Sequence, residues 1–140
     1  MNDLDNVAEL FDLYRNFYHQ QESDLSGAKN FLKERLSNEE SVIFIAFDGQ
    51  DAVGFAQLYP TFSSLSMEKS WVLNDLYVKK TVRGKGFGEQ LLRQAIKFVE
   101  ETGAKGVLLE TNEDNIIAQS LYEKTGFIKE TNYFYYYSIV

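Results

Sequence analysis

Val7, Leu10, Phe11, Tyr14, Phe17 and Tyr18 recur at the spacing of one helical face and predict a first helix from about Asn6 to His19. Phe31, Leu32 and Leu36 predict a shorter helix from about Ser26 to Ser37. The pattern then changes. Ser41 to Phe47 and Ala52 to Tyr59 are largely apolar runs on either side of Asp48-Gly49, which predicts a β-hairpin turning near Asp48–Asp51. Trp71 to Val78 reads as another strand. Leu91, Leu92, Ala95, Ile96 and Val99 return to helical spacing, with a stop near Gly103. Val107 to Thr111 is expected as a short buried strand and Asn115 to Lys124 as a helix ended by Gly126. Phe127 onward, above all Tyr133 to Val140, supplies the last strands. This order predicts a single domain over residues 1–140 of the α/β (α+β) class, with a mixed central sheet flanked by helices.

Composition narrows what such a domain can do. The chain has 140 residues, enough for one sizeable core, and no repeat or low-complexity segment. It has no cysteine and one histidine, His19, so a thiolate or histidine-rich metal site is excluded and no metal is expected. His19 is expected at a helix end or on the surface. No apolar run reaches the roughly 18 residues of a membrane span, and MNDLDNVAEL has no signal core, so a cytoplasmic protein is expected. The net charge of −7 argues against a nucleic-acid partner and favours a cationic one, although it serves solubility equally well.

The chemistry concentrates in TVRGKGFGEQ, Thr81 to Gln90, between a strand and a helix. The first N–H groups of a helix lack intrahelical acceptors and, with the macrodipole, suit an anion. Gly84, Gly86 and Gly88 remove side chains that would hold a phosphate away, while Arg83 and Lys85 add charge. A pyrophosphate is the natural occupant. The loop is not GxxxxGK[ST], and GxGxxG fails because Glu89 stands at the last position. What remains is Arg83-x-x-Gly86-x-Gly88.

That pattern resembles the acetyl-CoA loop of the GNAT N-acetyltransferase superfamily. Asn115-Ile-Ile-Ala118-Gln-Ser-Leu121-Tyr122-Glu-Lys-Thr-Gly126-Phe127 is similar to its other signature, N-x-x-A-x-x-L-Y-x-x-x-G-F, and the order of elements agrees from about Val7 to Val140. The resemblance implies a mostly antiparallel sheet and acetyl-CoA as co-substrate. It implies that the backbone of Leu76, Tyr77 and Val78 pairs with the pantetheine arm. The amides of Arg83, Gly84, Lys85, Gly86, Phe87, Gly88 and Glu89 would wrap the pyrophosphate. Asn115 would contact the pantetheine or adjoining backbone, and Tyr122 would lie near the sulfur. One departure stands out: family members usually begin with a strand, and only Met1 to Leu4 precede the first helix here.

The residue types fit direct acyl transfer. Without a cysteine or a G-x-S-x-G elbow, covalent routes have little support, and a directly attacking amine is the economical mechanism. Alkyl ammonium groups titrate near about 10, so a base or a water chain must take a proton. A backbone N–H near Tyr77 or Val78 could polarise the thioester carbonyl. Tyr122 is the candidate acid for the leaving thiol, and seven residues separate it from Asn115, close to two turns of one helix face. Ile117 and Leu121, one step round, are expected to pack on the sheet. Asp75 and Glu110 are the candidate bases, with a water relay equally open. An ion pair or a solvated strand end would also account for either acid. Leu73-Asn74-Asp75-Leu76-Tyr77-Val78 is similar to a stretch of diamine acetyltransferases that carries two acids where this chain has Asn74 and Asp75. In a strand, Asp75 faces away from Asn74 and Leu76.

The acceptor pocket is expected from Phe17-Tyr18-His19 with the following loop and from Tyr59 to Glu68, with Tyr18, Tyr59 and Asn74 as substrate-binding candidates. The expected function is transfer of acetyl to a primary amine of a small molecule. Acetylation of a protein lysine or N-terminus, or a non-catalytic acetyl-CoA-sensing module, are the alternatives. The aromatic final strand suggests a homodimer.

Overall fold

A computed structural model of the chain describes residues 3–19 and 22–139; the side chain of His19 and residues 20 and 21 of the loop after it lie outside the described part. The chain resolves into two compact units, Met1–Glu110 and Thr111–Val140.

The first unit is built on a four-stranded sheet in the order β1-β2-β3-β4, with β1 Val42–Asp48, β2 Asp51–Ser63, β3 Glu68–Val78 and β4 Val107–Leu108. The first three strands are antiparallel and β4 runs parallel to β3, so the sheet is mixed as expected. The β1–β2 turn falls at the predicted place, with Gly49 at φ 65°.

Helix α1, Asp3–His19, and α2, Leu25–Ser37, cover the sheet with Val7, Ala8, Leu10 and Leu32 against Phe55 of β2 and Tyr77 of β3. Helix α3, Phe87–Glu101, buries Leu91, Leu92, Ala95 and Val99. Its Phe98 ring meets Trp71 at 5.1 Å and Phe44 at 5.6 Å, both edge-on. Every residue from Val53 to Leu58 is buried, as a strand covered on both faces requires.

One buried carboxylate fixes how α1 meets α2. The Asp12 carboxylate accepts from Ser23 Oγ at 2.5 Å and from the Asp24 amide at 2.8 Å. Asp24 in turn caps α2, accepting from the Gly27 amide at 3.0 Å. A Cβ on Gly27 would stand 2.3 Å from the Asp24 carboxylate, so this tight cap needs glycine.

Three expectations are corrected here. Tyr59 to Glu68 is not an irregular loop: β2 continues through Pro60 to Ser63 and β3 begins at Glu68. Proline is tolerated because its partner Trp71 sends its own N–H to Gly106 O at 3.0 Å, so the pair needs no donor from Pro60. The strand from Val107 ends at Leu108, not Thr111. Residues 127–139 carry no regular secondary structure, and the side chains from Tyr133 to Tyr137 are exposed. Their aromatic composition favours a strand, but no strand among the described residues offers them a ladder of hydrogen bonds.

The second unit contains α4, Ile116–Lys124. It buries no residue, and Ile117, expected against the sheet, is 87% exposed. Thr125 and Gly126, at φ 108°, end the helix, and the Phe127 amide returns to Tyr122 O at 2.9 Å.

Candidate active site

The glycine loop takes the form its composition implies. After β3 the chain makes a short 3-10 turn, Lys80–Val82, and Gly86 becomes the N-cap of α3. Gly84 and Gly86 have φ of 85° and 89°, the left-handed region where other residues are strained. A Cβ on either would meet nothing within 4 Å, so the backbone faces open space. No side chain caps the helix. The first-turn amides of a helix have no intrahelical acceptor, so this end suits an anion, as a phosphate requires.

The cations of this loop are held in place. Arg83 donates from Nε to Val78 O at 2.8 Å, and its guanidinium lies 4.9 Å from the Phe17 ring and 5.8 Å from that of Tyr77. Lys80 Nζ lies 4.7 Å from the Phe17 ring. Lys85, Gly84 and Gly86 are exposed; Phe87, Gly88 and Glu89 are half-buried, and Glu89 pairs with Arg93 at 2.9 Å.

Strand β3 also has the open edge that a pantetheine arm would need. Strand β4 pairs only with Trp71 and Val72. Among the described residues, Leu73 to Val78, including the expected Leu76, Tyr77 and Val78, have no strand partner on that side. On the other side β2 comes close at Gly54, where a Cβ would stand 2.7 Å from Tyr77 O.

A bulge shapes this region. Gln57 opposes Asp75 and Leu58 opposes Leu73, so Asn74 is an extra residue without a partner. Asp75 is only 5% exposed. Its Oδ2 accepts from Gln57 Nε2 at 2.7 Å and its Oδ1 from Asn74 Nδ2 at 3.1 Å. Gln57, wholly buried, accepts at Oε1 from Ser41 Oγ at 2.7 Å. Burial first, and then the Asp75 carboxyl, push the Tyr14 phenol well above the ordinary tyrosine range. Tyr59 is pushed up to about 12, first by burial and then by Asp75, with Arg35 acting the other way. Burial also raises Tyr77, against the opposing charge of Arg83.

The structure thus gathers several predicted residues about one carboxylate. Asn74 touches Asp75, Tyr59 lies in its field, and Tyr18, half-exposed, packs 5.0 Å from the Tyr14 ring. Tyr14, Gln57 and Ser41 belong to this cluster but are absent from the predicted site. A glutamine inside the buried run Ala52 to Tyr59 was the available signal. Glu110 is exposed and lies beyond the end of β4, so it does not occupy the strand position expected of it.

In the second unit, Asn115 is the N-cap of α4, its Oδ1 accepting from the Ala118 amide at 3.2 Å. That oxygen serves the helix, while the expected pantetheine contact would fall to its other groups. Tyr122 is half-buried, with its ring 6.0 Å from Phe127. No cluster of metal-binding side chains occurs among the described residues, and no helix there is long and apolar enough to cross a membrane.

Comparison with known proteins agrees with this geometry. Residues 7–127 match the model of the Acetyltransferase (GNAT) family. The chain is 48% identical over 130 residues to the N-acetyltransferase YhfO of Bacillus subtilis, covering 93% of this chain and 87% of that protein. It is 31% identical over 124 residues to a streptothricin acetyltransferase of Escherichia coli, covering 86% and 68%. A crystal structure of a probable acetyltransferase, 37% identical, superposes with a TM-score of 0.90 over 100% of this chain and 93% of that one.

Proposed function

The chain belongs to the acetyltransferase (GNAT) family, and from that premise we propose that it transfers acetyl from acetyl-CoA to a primary amine of a small molecule by direct attack. One observation carries the donor side: Gly84 and Gly86 hold left-handed backbone facing open space at the start of α3. The residues present fit a diphosphate there and an extended arm along Leu76 to Val78. When bound, acetyl-CoA would supply the activated thioester.

The remaining work falls to the chain's own groups. The amides from Arg83 to Glu89, with Lys85, hold the diphosphate. Asp75 takes the acceptor's ammonium proton, directly or through one water, leaving the nitrogen its electron pair for attack. Asp75 is preferred to Glu110 because it is anchored among Gln57, Asn74 and Tyr14, whereas Glu110 is exposed. An amide of β3 near Tyr77 or Val78 polarises the thioester carbonyl. By the family resemblance, Tyr122 is assigned the proton of the departing sulfur and Asn115 a contact with the pantetheine.

The acceptor is a cation. Asn74 touches the Asp75 carboxyl, Tyr59 lies in its field and Tyr18 packs on Tyr14, and the net charge of −7 attracts positive solutes. A streptothricin acetyltransferase among the relatives supports a small-molecule acceptor. We place the enzyme in the cytoplasm as a homodimer, to be checked by cell fractionation and native mass.

Thiol release from acetyl-CoA across diamines, amino acids, aminoglycosides and lysine peptides tests the reading. Turnover on small cationic amines supports it. Turnover on peptides alone would move the assignment to a protein acetyltransferase, and tight binding with no turnover would make the chain a sensor. Tyr122→Phe is expected to lower kcat about tenfold while sparing cofactor affinity; equal turnover across pH would remove Tyr122 as the acid.

A further inference from the structure

Gln57 is a wholly buried amide in the middle of an apolar strand, and both ends of it are engaged. Its Oε1 accepts the Ser41 hydroxyl at 2.7 Å, and its Nε2 donates to Asp75 Oδ2 at 2.7 Å. Turning the amide over would face oxygen to carboxylate and lose the bond to Asp75. The carboxylate therefore fixes which end Gln57 presents, and the Ser41 hydroxyl, donating to the far end, buttresses the amide in that orientation. Packing alone does not require this: a leucine of similar size would fill the strand without burying the two polar atoms of the amide.

The bulge gives the arrangement its purpose. Asn74 has no partner in β2, and the register slip lies between Gln57 and Leu58, so Gln57 is the last residue of β2 in step with Asp75 and the bonds beyond. Its side-chain bond crosses the two strands at the irregularity and keeps the carboxylate from following Asn74 toward solvent.

We infer that Ser41 and Gln57 are positioning residues that hold the Asp75 carboxyl in place as the proton acceptor for acetyl transfer. This rests on the reading of Asp75 as the base. In the step they support, an N–H bond of the acceptor ammonium breaks, an O–H bond forms on Asp75, and the electron pair stays on nitrogen. The groups facing Asp75 are Gln57 and Tyr59 from β2, Asn74 from β3 and Tyr14 from α1, while Arg35 of α2 reaches Tyr59. No cation is in contact with Asp75 among these; the side chains that donate to it, Gln57 and Asn74, are neutral.

The test uses the full chain in two ways. In the ligand-free protein, ¹³C NMR follows the carboxyl carbons against pH, and the Asp75 signal is the one missing in Asp75→Asn. Gln57→Glu places a second carboxyl against Asp75 and should move that titration midpoint upward by at least one pH unit. Gln57→Leu and Ser41→Ala remove donors and should move it upward by less, whereas Ser41→Thr should restore the parental midpoint. The acid-side inflection of kcat/KM should move with the NMR midpoint. A merely structural role would lower Tm and leave the midpoint where it was. Parental midpoints in both Gln57→Leu and Ser41→Ala would overturn the inference, and these two remain decisive if Gln57→Glu does not fold. Midpoints that move in a protein without acetyl transfer would leave the coupling standing and defeat the proposed function instead.

Discussion

The glycine loop and the Asp75 cluster are built on opposite principles. The loop, Arg83 to Gly88, offers backbone and empty space: two left-handed glycines, no side-chain cap and open surroundings. The cluster offers side chains: Asp75, Gln57 and Ser41 are all buried, with Gln57 bonded to both of the others. A group that must hold a diphosphate gains from presenting amides and withholding bulk. A group that must exchange one proton gains from neighbours that fix its charge state. Binding and chemistry therefore ask for different kinds of residue, and this chain separates them by the last residues of β3 and the 3-10 turn Lys80–Val82.

The sharpest way to break the contrast is to put a side chain where the loop has none. Gly86→Glu should weaken acetyl-CoA binding at least a hundredfold by calorimetry, through bulk and like charge together. Gly86→Ala separates conformational strain from blockage and should cost stability of about 1–2 kcal/mol with a smaller loss of affinity. Unchanged affinity in the glutamate variant would show that the diphosphate lies elsewhere.

The reciprocal change neutralises the cluster. Asp75→Asn should reduce kcat about a hundredfold or more with cofactor affinity intact, measured on the best acceptor from the amine panel. A fall in affinity equal to the fall in kcat would mean that the two regions are not separate.

A buried carboxylate outside the site serves as the control for burial alone. Asp12→Ala leaves the Ser23 hydroxyl and the Asp24 amide without their acceptor, and should lower unfolding stability by about 1–3 kcal/mol in urea with kcat of the surviving fold unchanged.

The smallest effect is alkaline. Tyr14, Tyr59 and Tyr77 are all raised by burial, with Tyr59 at about 12. A phenol raised in the fold binds its proton more tightly there than in the unfolded chain. The stability it contributes is full below about pH 10, the unfolded value, and declines as pH rises toward the folded value. The urea midpoint should therefore fall from pH 10 to 12, and Tyr59→Phe should flatten part of that slope.

The same contrast explains what could be read from the residues in order. The loop is local: one strand end, three glycines and one helix start lie within ten residues, so its form follows from adjacency. The cluster is not local. Ser41, Gln57 and Asp75 meet only through strand register, and the bulge at Asn74 that selects the register has no glycine or proline to announce it. Alternation alone did place Asp75 opposite to Leu76, and the bulge preserves that. The hairpin arm beyond Tyr59 was hidden by Pro60, whose usual meaning is reversed where its strand partner bonds outward. The tyrosine run was read as strand from propensity, but residues 127–139 have no ladder among the described residues.

Phe17 has a thermodynamic consequence for the loop it touches. Its ring receives both Arg83 and Lys80, and Arg83 is also tied to the β3 carbonyl of Val78. A free arginine or lysine surrenders about 2 kcal/mol of rotamer freedom when a ligand immobilises it. Here much of that ordering occurs during folding, so an arriving anion meets cations already at rest and keeps more of its contact energy as affinity.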